Sequence, residues 1–194
     1  MFTLQLTSED TTFQQNEKND QIDQYLFRIA AGDQNAFSAL YRATRTGIYA
    51  YALSVLKNTQ DAEDVLQDCF LHIYHAASTY QSCGKPMAWI ITIARNLCLQ
   101  RLREHKRFSD LPEENWEPYL RSQEGISGED RLILQECMQH LTDEERQIVV
   151  LHAVAGFKHR EIASVLRMPL STILSKYNRS IKKIHSTLQK GENL

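Results

Sequence analysis

Proline and glycine are scarce in this chain of 194 residues, four and seven in all, and no stretch alternates apolar with polar residues as a half-buried strand would. That shortage argues against sandwiches, barrels and parallel sheets and leaves helices joined by short connections. Long apolar runs are missing too. None approaches the roughly 18 residues a membrane-crossing helix needs, and no charged-then-apolar leader opens the chain, so a soluble, cytoplasmic protein is expected. The four cysteines, Cys69, Cys83, Cys98 and Cys137, stand far apart with no CxxC pair, which gives neither a zinc knuckle nor a disulfide framework. Cys69 and Cys98 fall on apolar helix faces as small core residues. His72 and His75 share a helix at i,i+3 without a third ligand marked out, so no metal and no cofactor is expected. A nucleophile, base and orienting group are likewise not assembled anywhere, and the expectation is a protein without a catalytic centre.

What is present is charge in blocks. The formal net charge is only −2, yet residues 85–107 carry six Lys/Arg against one acid, residues 110–145 eleven acids against two Arg, and residues 146–190 nine Lys/Arg against one acid. Two basic segments flanking an acidic one suit phosphate attraction at both ends and a linker or protein-facing surface between them; solvated helix faces are the plainer reading of either block.

Helical spacing dominates the pattern. A polar, acidic extension over residues 1–20 is expected to be disordered. Helices are expected from about Asp20 to Ala31, ending at Gly32, from Asn35 to Leu56, and from Thr59 to Ser78. The third has the cleanest apolar stripe, Ala62, Val65, Leu66, Cys69, Phe70, Ile73 and Tyr74. Its other face carries Asp61, Asp64 and Asp68 with Gln67 alongside, and no Lys or Arg within the helix answers them. Such a ridge fits a basic protein partner or simple solvation. A loop, Tyr80-Gln81-Ser82-Cys83-Gly84-Lys85, leads to Pro86, well placed in the first turn of a fourth helix running to about Arg107. Beside its buried side, that helix offers Trp89, Arg95, Asn96, Arg101, Arg103, Lys106 and Arg107: an aromatic, an amide and cations, the chemistry that unstacked bases require, although Trp89 could equally be core.

Residues 108–126, with Pro112, Pro118 and Gly125, read as a linker. Ser127 with Asp130 is a plausible cap, and Thr142 with Glu145 is a stronger capping box, opening a helix that runs toward Gly156. The segment from His159 to Lys176 then reads as two helices around a tight turn. Ile162, Val165 and Leu166 give the first an apolar face, Ala163 allows close approach, and Ile173 faces back from the second, which extends to about Gln189. On that second helix Ser171, Thr172, Ser175, Lys176 and Arg179 point outward, as donors and acceptors for a major groove would. An ordinary helical hairpin in a bundle gives similar spacing.

Four ordered pieces now carry a family resemblance: Ala31-Gly32-Asp33 with Ala36-Phe37, Asp61-Ala62-Glu63-Asp64-Val65-Leu66-Gln67-Asp68-Cys69-Phe70, Ala88-Trp89-Ile90 with Ile93-Ala94-Arg95-Asn96, and the block from Leu141 to Lys183. Together they resemble a bacterial RNA polymerase sigma factor of the extracytoplasmic-function (ECF) type in the sigma-70 family. The resemblance implies an all-α fold of two small helical domains joined by a flexible linker: sigma region 2 over residues 21–107 and a region 4 helix-turn-helix over residues 127–190. It implies core polymerase binding by Asp61, Asp64, Gln67 and Asp68. It also implies minus-ten DNA contacts from Tyr80, Gln81, Ser82, Lys85, Trp89, Arg95, Asn96, Arg101 and Arg103, and minus-thirty-five contacts from Arg160, Ser171, Thr172, Ser175, Lys176 and Arg179. Melting costs a few kcal/mol per base, which a stacking pocket with an amide can offset. Core RNA polymerase, promoter DNA and an anti-sigma protein are the implied partners. Three departures stand out: Arg167 where the family turn has Gly, at a cost of ~1 kcal/mol if left-handed, Leu174 where a basic residue is common, and Gln81-Ser82 where Arg and Gly are common. The rival expectation is a stand-alone helix-turn-helix regulator that dimerises and binds operators.

Overall fold

The computed structural model describes residues 8–108 and 135–191, and all regular structure among them is helical. Four long helices come first: α1 (Ser8–Ala30), α2 (Gln34–Leu56), α3 (Thr59–Ala76) and α4 (Pro86–Phe108), with a 3-10 turn at Ala77–Thr79. Residues 135–139 are helical, and α5 (Asp143–Ala153), α6 (His159–Leu166) and α7 (Leu170–Gly191) follow. The linker expected over residues 108–126 and the Ser127 cap lie almost wholly outside the described residues.

Helix starts obey local chemistry. Asp33 caps α2 by accepting from Asn35 N at 2.8 Å and Ala36 N at 3.2 Å, and it is clamped by Arg28 at 2.6 Å. Asn58 caps α3 through Asp61 N at 3.0 Å. The Thr142–Glu145 box is formed in both directions, at 3.3 Å and 3.0 Å. One element departs from expectation. Residues 8–20 are helical rather than a disordered extension, with residues 1–7 outside the description. Their polar helix formers show no apolar period, but they continue into Ile22, Leu26 and Ile29, which are buried, and the packed end carries the helix outward.

The first unit closes around Leu40, Ile48, Tyr51, Val65, Cys69, Ile73, Ile90 and Ala94. Burial pushes the Cys69 thiol up to about 12, and Cys98 is raised likewise, as suits inert core thiols. The second unit packs Ile148, Leu151, Phe157, Ile162, Val165 and Ile173. The two units touch. α5 lies on α2 and α6 on α4, and a Cβ at Gly47 would stand 3.5 Å from that of Ala155. Lys57 reaches Asp143 at 3.0 Å across the same junction.

Candidate polymerase and nucleic-acid interfaces

α3 turns its apolar stripe inward from Ala62 to Ile73, leaving Tyr74 exposed, and two of its acids meet α4. Arg101 lies 3.3 Å from Asp64 and 4.0 Å from Asp61, and His105 is 3.5 Å from Asp61. The ridge that looks unanswered within its own helix is therefore half answered by a neighbouring one. Sequence spacing reveals only i,i+3 and i,i+4 partners, so this pairing was out of its reach. Gln67 is exposed and Asp68 half-buried, and Asp68 forms no ion pair among the described residues. Those two, not Asp61, form the open part of the ridge. His72 and His75 are both exposed on the same helix, and no third metal ligand joins them among the described residues.

α4 presents a second face. Lys85, Trp89, Thr92, Asn96, Leu99 and Arg103 recur at steps of three and four, one stripe of the helix, and all are exposed except the half-buried Trp89. Arg103 Nε donates to Leu99 O at 3.1 Å, which lays the guanidinium along that stripe. Arg95 is half-buried off it. Arg101 sits on the α3 side and is committed to the acids there, so its expected place among the DNA contacts is not supported by its geometry.

The loop before α4 divides. Gln81, Ser82 and Lys85 are exposed, but Tyr80 is 8% exposed. Its ring packs on Trp89 at 4.7 Å and Phe27 at 6.1 Å, and its hydroxyl donates to Asp23 on α1. Burial, followed by that hydrogen bond, raises the Tyr80 phenol far above its usual range. Tyr80 is thus buried against α1 and Trp89, while its loop neighbours are exposed. Asp23, on a helix that carried no motif, was not legible from the sequence at all.

In the second unit, α6 and α7 are joined at Arg167, whose φ of +56° is left-handed as the missing glycine suggested. Met168 N donates to Ala163 O at 3.0 Å, closing the turn. Arg160, Ser171, Ser175 and Arg179 are exposed and Thr172 half-buried. Lys176 is mostly covered and bound to Glu144 at 2.6 Å. Behind this face, His152 and His159 stack at 4.6 Å and both abut Tyr177 edge-on. His152 Nδ1 lies 2.8 Å from Phe157 O, while His159 Nε2 is buried with no hydrogen-bond partner among the described residues. Burial and the neighbouring His152 lower the His159 pKa. Scattered in the sequence, these three residues meet only because three helices converge.

Two family models match the chain in order: Sigma-70 region 2 over residues 40–108 and Sigma-70, region 4 over residues 131–184. The chain belongs to the sigma-70 family, in its ECF branch. The ECF RNA polymerase sigma factor SigK of Mycobacterium ulcerans is 27% identical over 183 residues, covering 88% of this chain and 95% of its own. That of Mycobacterium tuberculosis is 29% identical over 174 residues, covering 86% and 93%. Among solved structures, the sigma factor RpoE of Bartonella quintana, in complex with the anti-sigma factor NepR, shares the fold at a TM-score of 0.65 and 20% identity over 79% of this chain and 96% of its own. CnrH, in complex with the cytosolic domain of CnrY, does so at 0.60 and 20% over 88% and 98%. Sigma factors are initiation factors, not enzymes. No described helix is long and apolar enough to cross a membrane.

Proposed function

We infer that this protein binds core RNA polymerase and directs it to promoters, opening the duplex at the minus-ten element and anchoring at the minus-thirty-five element. The observation that carries the reading is the exposed stripe on α4, basic, aromatic and amide, in one chain with a separate helix-turn-helix. A regulator that only docks on duplex operators has no use for a stacking stripe. Lys85, Trp89, Asn96 and Arg103, with Gln81 and Ser82 beside them, take the melted minus-ten strand. Arg160, Ser171, Thr172, Ser175 and Arg179 lie in the minus-thirty-five major groove. Lys176 joins them once it releases Glu144. Arg95 supports the α4 face from its edge.

Gln67 and Asp68 lead the contact with polymerase, and Asp64 and Asp61 contribute beside Arg101. The protein acts in the cytoplasm, where its polymerase is. An anti-sigma protein restrains it, a reading supported by the fold relative RpoE, whose structure is of a complex with the anti-sigma factor NepR. Co-sedimentation of the purified chain with core polymerase tests the reading, with an Asp68→Lys variant alongside. Wild type should travel with the enzyme and the variant should be released at lower salt. A chain that binds duplex DNA but leaves polymerase unbound would favour the operator-binding regulator instead.

A further inference from the structure

Asp23 belongs to no motif and to neither interface, yet both of its carboxylate oxygens are held by hydroxyls from a distant loop. It lies on α1 with 8% of its surface exposed, and no basic side chain forms an ion pair with it among the described residues. A buried carboxylate in that position is costly unless hydrogen bonds replace its water. Two do. The Tyr80 hydroxyl donates to Oδ1, and the Ser82 hydroxyl donates to Oδ2 at 2.6 Å. Ser82 Oγ in turn accepts from Gly84 N at 3.3 Å, where the backbone turns through a φ of +71° that favours glycine. A residue in α1 therefore fixes both neighbours of Gln81, whose side chain stays exposed. Through the Tyr80 ring, the same carboxylate also backs Trp89.

A core needing only stability would be served at least as well by an apolar side chain here, because buried charge rarely adds to stability. What the carboxylate supplies is a fixed shape for the segment that leads into the α4 stripe. We propose that Asp23 is a positioning residue for base capture: it holds the Tyr80–Lys85 segment and Trp89 in the geometry that receives an unstacked minus-ten base and selects which base is accepted. This rests on the promoter-opening function inferred above. Being buried, Asp23 acts through Tyr80 and Ser82 and touches no DNA.

The test uses holoenzyme assembled from core polymerase and full-length protein. Its probe is a single-stranded minus-ten fragment, taken from a promoter that wild-type holoenzyme initiates from on genomic DNA, together with its single-base variants. Asp23→Ala removes both acceptors; Asp23→Asn keeps the shape and an acceptor for Tyr80, and serves if the alanine variant folds poorly. Expected are affinity for the fragment weakened roughly ten- to a hundredfold in Asp23→Ala, the scale of losing one stacked base, a flattened preference among the base variants, and partial recovery of both in Asp23→Asn. Core binding should be unchanged. In a Tyr80→Phe, Ser82→Ala background, Asp23→Ala should add little further loss. Unchanged affinity and base preference in both Asp23 variants would overturn the proposal. So would a loss shared equally by core binding and duplex binding with the preference profile intact, since that marks a purely structural residue. Should wild-type holoenzyme initiate from no promoter at all, the underlying function fails first, and the proposal with it.

Discussion

Arg101 on α4 stands 3.3 Å from Asp64 on α3, tying the two helices together. The pair is partly exposed, so its own contribution to stability is at most about 1 kcal/mol. What it decides is which cation is free to meet phosphate. Arg101→Ala should leave the salt dependence of minus-ten strand binding unchanged, whereas Arg103→Ala should reduce the log–log slope by about 0.7, one single-strand phosphate contact. Titrations of holoenzyme with a single-stranded fragment at several salt concentrations separate the two. A drop for Arg101→Ala as large as for Arg103→Ala would return Arg101 to the DNA face.

The junction between the units turns on Gly47 facing Ala155. An added Cβ there meets ordinary van der Waals contact at 3.5 Å and 3.6 Å, so Gly47→Ala should be tolerated and should gain up to about 1 kcal/mol from helix propensity. Gly47→Leu has no such room and should cost about 1–3 kcal/mol of packing at the junction. Small-angle scattering should show the leucine variant larger than wild type while far-UV dichroism stays helical. An unchanged radius for Gly47→Leu would mean that α5 does not rest on α2 in solution.

His159 makes the helix-turn-helix sensitive to acid. Its pKa is lowered from 6.5 in the folded state by burial and by His152, so the unfolded chain binds more protons over the interval between the two values. Stability from this group is complete above about pH 6.5 and is lost as pH falls through that interval. Glu145, held below its usual value against the opposing effect of burial by Lys183 and Thr142, adds its own loss only in the carboxylate range. Thermal melts between pH 7 and pH 5 should show a declining midpoint in wild type and a flatter one in His159→Gln. Equal slopes for the two would remove His159 from the account.

At Arg167 a non-glycine residue holds a φ of +56°. Arg167→Gly relieves strain of ~1 kcal/mol, less the entropy that glycine loses on folding. A melting midpoint raised by about 1–4 °C is expected. A lowered midpoint would show that the Arg167 side chain contributes more than its backbone costs.

Much of this was written in local spacing. The α3 stripe, the Thr142–Glu145 box and the turn at Arg167 each depend on residues within a few positions of one another, and they formed as read except at Tyr74, which ends the stripe exposed. What escaped depends on distance in the chain. Asp23 meets Tyr80 and Ser82 across 57 and 59 residues, Arg101 meets Asp64 across 37, and the His152, His159 and Tyr177 rings gather from three helices. A period along one helix cannot announce a partner on another. For the same reason the polar turns of α1 were read as a disordered extension: their order is inherited from the packed residues that follow, not from any pattern of their own. Tyr80 shows the converse. An aromatic in a loop looks available, and only the tertiary fold shows it buried.

The central claim is that this chain gives core RNA polymerase a promoter specificity the enzyme lacks alone. The most direct measurement is transcription on fragmented genomic DNA by purified core polymerase, with and without the protein, reading the 5′ ends of the products. Added protein should produce discrete new start sites preceded by a shared pair of upstream sequence elements. Identical start sites in both reactions would contradict the account.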